Sequence, residues 1–326
     1  GTFWDNGITH AARHIDRQKA RGLRTIAGRG DDPLAIAAET MRDLGIEFHF
    51  YIRVEAFAGS GRQQYQKRSD FFENHPEWRC RDEHGDEIWR MSYAYPGVQD
   101  HMLAYFEELL RYEPDGLCLA MNRSLPMVLF EQPVLDEFER RHGRPPDLPR
   151  EAHTPEMLDV RHDLLKGFLE RLHGLYGSRG KALSFIAAGD EDTFRQFGVD
   201  ARRLAESGYF RDVYGVNAGD PFWRDMQAGG KISVYPDGRV WGPAHDHREI
   251  AQYTRDEIFG NGFAGVFFWD IQIEHLNPYD WHVVRRLGTP EFVRDVAEGR
   301  VSPPPIDELK YINGVKLGPY NPNRSY

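Results

Sequence analysis

Helix-like stretches run directly into apolar strand-like stretches five times along this chain, and that alternation constrains its fold most. Residues 32–45 read as the first helix. Asp31 or Asp32 can cap it, and Pro33 stands in its first turn. Leu34, Ile36, Ala37, Met41 and Leu44 recur at helical spacing, and Gly45 stops it. A strand over 46–54 follows at once. Helix 98–111 leads into strand 117–121, helix 158–176 into 182–188, helix 199–207 into 213–217, and helix 248–260 into 265–269. Repeated helix-then-strand order predicts parallel strands joined by helical crossovers. A further strand is expected at 23–27. A hairpin is expected where Lys231–Tyr235 and Arg239–Trp241 flank Pro236-Asp237-Gly238.

An open doubly wound sheet would carry a glycine-rich loop after its first strand. Gly59-Ser60-Gly61 follows a strand but opens no helix pattern. Six or seven strands, polar insertions after several of them and no nucleotide fingerprint predict an α/β chain folded as a (β/α)8 TIM barrel. The strand count falls short of eight, and the chain starts without Met. The expectation is therefore an N-terminally truncated barrel lacking its first strand. One barrel domain is expected over 1–300, with long insertions near 59–95 and 141–157. Residues 301–326 read as an extended Pro-rich tail.

Composition narrows the partners. The 326 residues hold 41 Lys+Arg against 51 Asp+Glu, a net charge of −10. That balance disfavours nucleic acid and anionic membranes, both of which need clustered cations. No apolar run approaches the ~20 residues of a membrane helix. The two cysteines make no disulfide framework. Cys118 reads as a buried thiol and Cys80 as a residue of a charged loop. Neither compartment nor oligomeric state follows from the sequence.

In a barrel, chemistry sits at the carboxyl ends of the strands. Strand 46–54 alternates strictly. Ile46, Phe48, Phe50, Ile52 and Val54 form one face, and Glu47, His49, Tyr51, Arg53 and Glu55 the other. The polar face should look into the barrel, with Arg53 and Glu55 at its mouth. Glu47 and His49 are alternatively a buried polar network, and Arg53 with Glu55 a structural ion pair. Strand 117–121 places Cys118, Ala120 and Asn122 inward. Asn122 and Arg123 suit hydroxyls or a carboxylate, or else anchor the loop. After strand 182–188 come Asp190, Glu191 and Asp192. Asp192 or Thr193 fits a helix cap, which leaves Asp190 as the catalytic candidate. The last strand ends in Trp269-Asp270, a ring that can stack on a sugar and an acid that can act at its hydroxyls or anomeric carbon, or else core packing and a cap. His245-Asp246-His247 looks like a helix start rather than a metal site. No metal and no cofactor is expected. No Gly-x-Ser-x-Gly elbow supports a serine hydrolase.

Several motifs, in order, make the chain resemble bacterial family-10-like glycosylhydrolases, a group of TIM barrels. They are Asp32-Pro33-Leu34 through Tyr51-Ile52-Arg53-Val54, His75-Pro76-Glu77-Trp78, Ser92-Tyr93-Ala94-Tyr95-Pro96, Asp115-Gly116-Leu117 through Arg123, and Gly265-Val266-Phe267. The resemblance spans roughly residues 30–290. It implies a TIM barrel, a carbohydrate substrate and a missing upstream strand. One departure stands out: the family often has an Asp where this chain has Ala120.

The expected function is a glycoside hydrolase acting on a poly- or oligosaccharide. Two carboxyl groups must flank the scissile bond. Glu55, Asp190 and Asp270 are the catalytic candidates, with Glu55 as the acid. Arg53, Tyr51, His49, Asn122, Arg123 and Trp269 are the sugar-binding candidates, and the two arginines fit an acidic sugar. The alternatives are a non-catalytic carbohydrate-binding barrel, motivated by Ala120, and a lyase or isomerase of acidic sugars using Tyr51, His49 or Tyr93.

Overall fold

The computed structural model describes residues 22, 24–54, 69–123, 125–189, 191–238, 247–263, 265–268, 283–284, 286–301, 311–312 and 315–316, with backbone only at 123, 311–312 and 315–316. The chain divides into two compact units, Gly1–Phe210 and Arg211–Tyr326. Both are α/β, and the crossover strands in each are parallel.

In the first unit, helix α1 (Pro33–Asp43) starts as the sequence predicts. The Asp32 carboxylate accepts from the Leu34 and Ala35 N–H groups, and Pro33 fills the first turn. Its end explains why strand β1 (His49–Ile52) is shorter than the expected 46–54. Gly45, at φ 66°, lets the chain turn left-handed. The Ile46 N–H then bonds back to the Met41 carbonyl at 2.9 Å, so it is lost to the sheet. Ile46 is left half exposed. The expected strand at 23–27 is also absent, since residues 24–28 are helical.

The segment after β1 holds α2 (Asp70–Asn74) and an antiparallel pair, β2 (Arg79–Arg81) and β3 (Glu87–Met91). Cys80 lies on β2 and is fully buried, not in an exposed charged loop. Trp78 packs flat on His75, with centroids 4.0 Å apart. Its other side meets α3 (Pro96–Leu109) at Gly97, where a Cβ would fall 2.4 Å from the indole. Only glycine fits so close a ring.

Helix α3 leads to β4 (Gly116–Leu119). Helices α4 (Gln132–His142) and α5 (Pro155–Gly177) follow, then β5 (Ala182–Ile186). β4 lies between β1 and β5, both parallel to it. Helix α5 buries Val160, Leu165, Phe168, Leu169, Leu172 and Tyr176. Each such side chain contributes about 1.5–3 kcal/mol of transfer free energy. The Tyr176 hydroxyl donates to the Phe106 carbonyl of α3, pinning one helix to the other. Helices α6 (Glu191–Gln196) and α7 (Ala201–Glu206) complete the unit. Asp192 and Thr193 lie inside α6 and do not cap it. Asp200 caps α7 instead, accepting from the Arg203 N–H.

In the second unit, β6 (Asp212–Val216), α8 (Pro221–Ala228) and β7 (Ser233–Pro236) form a strand–helix–strand crossover. The second arm of the expected hairpin, Arg239–Trp241, lies outside the described residues, and Pro236-Asp237-Gly238 is held in parallel pairing rather than in a turn. β7 pairs parallel with β6, Asp237 bridges Phe267 in parallel, and the Gly238 N–H donates to the Phe267 carbonyl. Among the described residues this bridge is all that represents the strand expected at 265–269. Helix α9 (His247–Tyr253) opens into a π-helical turn, Thr254–Phe259. α9 packs against α10 (Pro290–Ala297) through Ile250, Ala251, Val293 and Val296. A two-residue antiparallel pair, β8 (Tyr311–Ile312) and β9 (Val315–Lys316), lies in the tail. No helix among the described residues is long and apolar enough to cross a membrane.

Candidate functional site

Strand periodicity sorts the side chains of the first unit. Phe50 and Val54 are buried on one face of the β1 chain. His49, Tyr51 and Arg53 share the other. Their register neighbours there are Gly116 and Cys118 on β4, then Ala182 and Ser184 on β5. Small residues opposite large ones make this face uneven. His49 lies over Gly116, where a Cβ would sit 2.7 Å from the ring.

The His49 Nδ1 is 3.4 Å from the Ser184 hydroxyl, and its Nε2 is 3.4 Å from Glu47. The Ser184 member of this acid–imidazole–hydroxyl line was invisible in the sequence. Both gaps exceed the 2.6–3.2 Å that general-base transfer prefers. Ser184 is fully buried in mid-strand and also reaches the Leu117 carbonyl. The line is a polar network, as one reading of Glu47 and His49 foresaw, but it is not buried, since the Glu47 side chain is half exposed.

The carboxyl ends are different. The Ala120 N–H bonds to the Ile52 carbonyl, and its side chain is fully enclosed. Asn122 follows in a 3-10 turn, Met121–Arg123. It is half-buried, and its Oδ1 is enclosed with no hydrogen-bond partner among the described residues. An amide oxygen held this way is an acceptor awaiting a donor. Arg53 and Tyr51 are exposed. The Tyr93 hydroxyl donates to the Val54 carbonyl, fixing the backbone where β1 runs out. Glu55, Asp190, Asp270 and Trp269, and the side chain of Arg123, lie outside the described residues.

A second polar cluster, fully enclosed, has no signature in the sequence. The Glu131 carboxylate accepts from the N–H groups of Leu129 and Arg81, and from Ser92 and Cys80. Burial raises its pKa against the pull of those donors. Burial, with Glu131 beside it, pushes the Cys80 thiol well up, so Cys80 stays protonated and is no nucleophile. Arg161 donates to the Val128 and Gln196 carbonyls and lies over the Phe130 ring. Burial lowers its pKa to about 10, which still leaves it charged. No substrate reaches this cluster, which ties the β2–β3 pair to the segment entering α4.

In the second unit, Val213 and Val234 are buried on one face, whereas Tyr214 and Tyr235 share the other. Phe267 joins them: its ring lies 5.5 Å from Tyr214, and the two tyrosine rings are 5.3 Å apart. Three half-buried rings side by side form an aromatic surface. Their alternation along β6 and β7 was readable, though only Trp269 was singled out. A separate cavity of about 390 Å3 opens beyond β6, lined by Asn217, Gln252, Tyr253 and three acids, Glu249, Asp256 and Glu257. Asp256 is held by Arg255, which lowers its pKa. Among the described residues no three His, Cys, Asp or Glu gather as metal ligands.

No protein-family model matches this chain, and no curated protein does.

Proposed function

We propose that the chain is a glycoside hydrolase on a (β/α)8 barrel, cleaving a poly- or oligosaccharide, with acidic sugars among its substrates. The observation that carries this reading is Asn122. Its enclosed, unpartnered Oδ1 follows β4, beside the small enclosed Ala120. A sugar hydroxyl donates to such an oxygen, and small neighbours leave it room. The half-buried Tyr214, Tyr235 and Phe267 rings add the apolar surface a pyranose face prefers.

Catalysis would fall to two of Glu55, Asp190 and Asp270, each lying shortly after a strand segment in sequence. One protonates the leaving oxygen while the other attacks or activates water. Arg53, Arg123 and Asn122 would hold hydroxyls or a uronate, and Trp269 would stack. The second reading is a carbohydrate-binding barrel without turnover. It is favoured by Ala120, which gives the end of β4 no functional group. The lyase or isomerase alternative draws less support, because His49 is engaged with Ser184 and Glu47, and the Tyr93 hydroxyl with Val54.

The test is a panel of neutral and uronic-acid oligosaccharides, with products read by mass. One added water per cleaved bond, lost in Glu55→Gln, Asp190→Asn or Asp270→Asn, supports the hydrolase. Unsaturated products without added water would replace it with a lyase. Binding without turnover would replace it with the binding barrel.

A further inference from the structure

A cavity of about 290 Å3 lies in the first unit between the first turns of α5 and the chain joining α6 to α7. Its polar lining is Asp159, His162, Arg195, Asp200 and Arg203, with Leu158 adding an apolar patch. Topology sets its side. β4 leaves its sheet at Leu119, and α5 carries the chain back to the start of β5. The first turn of α5 therefore lies on the carboxyl-end side, as does the chain that leaves β5 for α6 and α7. The cavity thus opens on the same side as Asn122.

Two observations point to a ligand. His162 is only 4 % exposed, yet its Nδ1 is enclosed without a hydrogen-bond partner among the described residues. Burial, aided by Arg203, lowers the His162 pKa to about 4, so the ring is neutral at pH 7 and can both donate and accept. The second observation is Arg195. It sits 3.5 Å from both Asp192 and Asp200, and no hydrogen bond from its guanidinium occurs among the described residues. Arg203, by contrast, is committed to Asp159 at 2.6 Å.

The charges choose the ligand. Two arginines and two aspartates line the cavity together with a neutral imidazole. The lining is balanced, so it favours neither an anion nor a cation. With Arg203 held by Asp159, the groups left for a ligand are the Arg195 donors and the His162 ring, which can both donate and accept, and a ligand whose groups do both matches them. A hydroxyl has both, and adjacent hydroxyls match an arginine fork or a carboxylate in pairs.

We propose that this cavity is a second carbohydrate subsite, which takes a neutral sugar ring through its hydroxyls, with Arg195 and His162 as principal contacts. The proposal deepens the carbohydrate reading, but its own argument is what Arg195 and His162 offer a ligand.

The experiment titrates the full chain with cellotriose, xylotriose, mannotriose and maltotriose by calorimetry, and follows the His162 ring signals by NMR. At least one trisaccharide is expected to bind and to move those signals. Arg195→Gln, a half-exposed position that should not disturb folding, is expected to weaken that binding about tenfold. Failure of all four sugars to bind overturns the proposal, as does binding that Arg195→Gln leaves unchanged. Inorganic phosphate moving the His162 signals where the sugars do not also overturns it, since the site would then be ionic. Sugar binding that Arg195→Gln weakens, with no turnover on the panel above, keeps the subsite and removes the hydrolase. Turnover with trisaccharide binding indifferent to Arg195 does the reverse.

Discussion

Asn122 and Glu131 both lie on the segment that leaves β4, and they are opposites. Glu131 is a carboxylate gathered into the interior with backbone N–H, hydroxyl and thiol donors around it. Asn122 is a neutral amide at the strand end, and its enclosed oxygen has no partner among the described residues. The first arrangement spends its polarity on holding segments together. The second leaves polarity available to a ligand. Burial alone does not separate a structural polar group from a functional one; satisfaction does.

Glu131→Ala should break that contrast most severely. It strands the donors of Leu129, Arg81 and Ser92 and removes the negative charge nearest Arg161. A loss of about 3–5 kcal/mol is expected, read as a lower denaturant midpoint. His162 gives the next largest effect, through pH. Its pKa falls from 6.5 to about 4 on folding. Below pH 6.5 the unfolded chain takes up a proton that the folded chain refuses. Stability should therefore be lost as pH falls towards 4, by about 3 kcal/mol at most, and His162→Leu should flatten that slope. Gly116→Ala comes third. Its Cβ would lie 2.6 Å from the Ala182 carbonyl and 2.7 Å from His49. Overpacking of about 1–3 kcal/mol should follow, with a lower thermal midpoint. Asn122→Ala should be the mildest, within about 0.5 kcal/mol of the parent, because its Oδ1 has no hydrogen bond among the described residues to lose. The same change should weaken oligosaccharide binding about tenfold. A large stability loss in Asn122→Ala would erase the contrast between Asn122 and Glu131.

Local chemistry was legible in the sequence where it acts locally. Asp32 and Pro33 announce α1, and the alternation around His49 announces two faces. The errors came where a distant partner decides. Ile46 continues the strand pattern, but its N–H is taken by the helix behind it. Pro236-Asp237-Gly238 has a turn's composition, yet the Phe267 carbonyl and N–H keep that segment in a parallel pairing. Glu131 draws Cys80 and Ser92 from segments whose proximity no period reveals. At the candidate site, Asn122 and Arg53 could be chosen from strand position and residue type. The orphaned state of the Asn122 oxygen could not, because it depends on what surrounds it in space.

Both cysteines are enclosed thiols outside any disulfide, and they sit in different places: Cys80 on the β2–β3 pair and Cys118 in the middle strand of the first unit's sheet. An alkylating reagent reaches either sulfur only when its surroundings open. The chain thus carries two built-in clocks. The rate at which each thiol is capped in native buffer times the opening of its own neighbourhood, without any label being engineered. Should Cys80 be capped faster, the insertion breathes while the sheet stays shut; equal rates would mean that the two open as one.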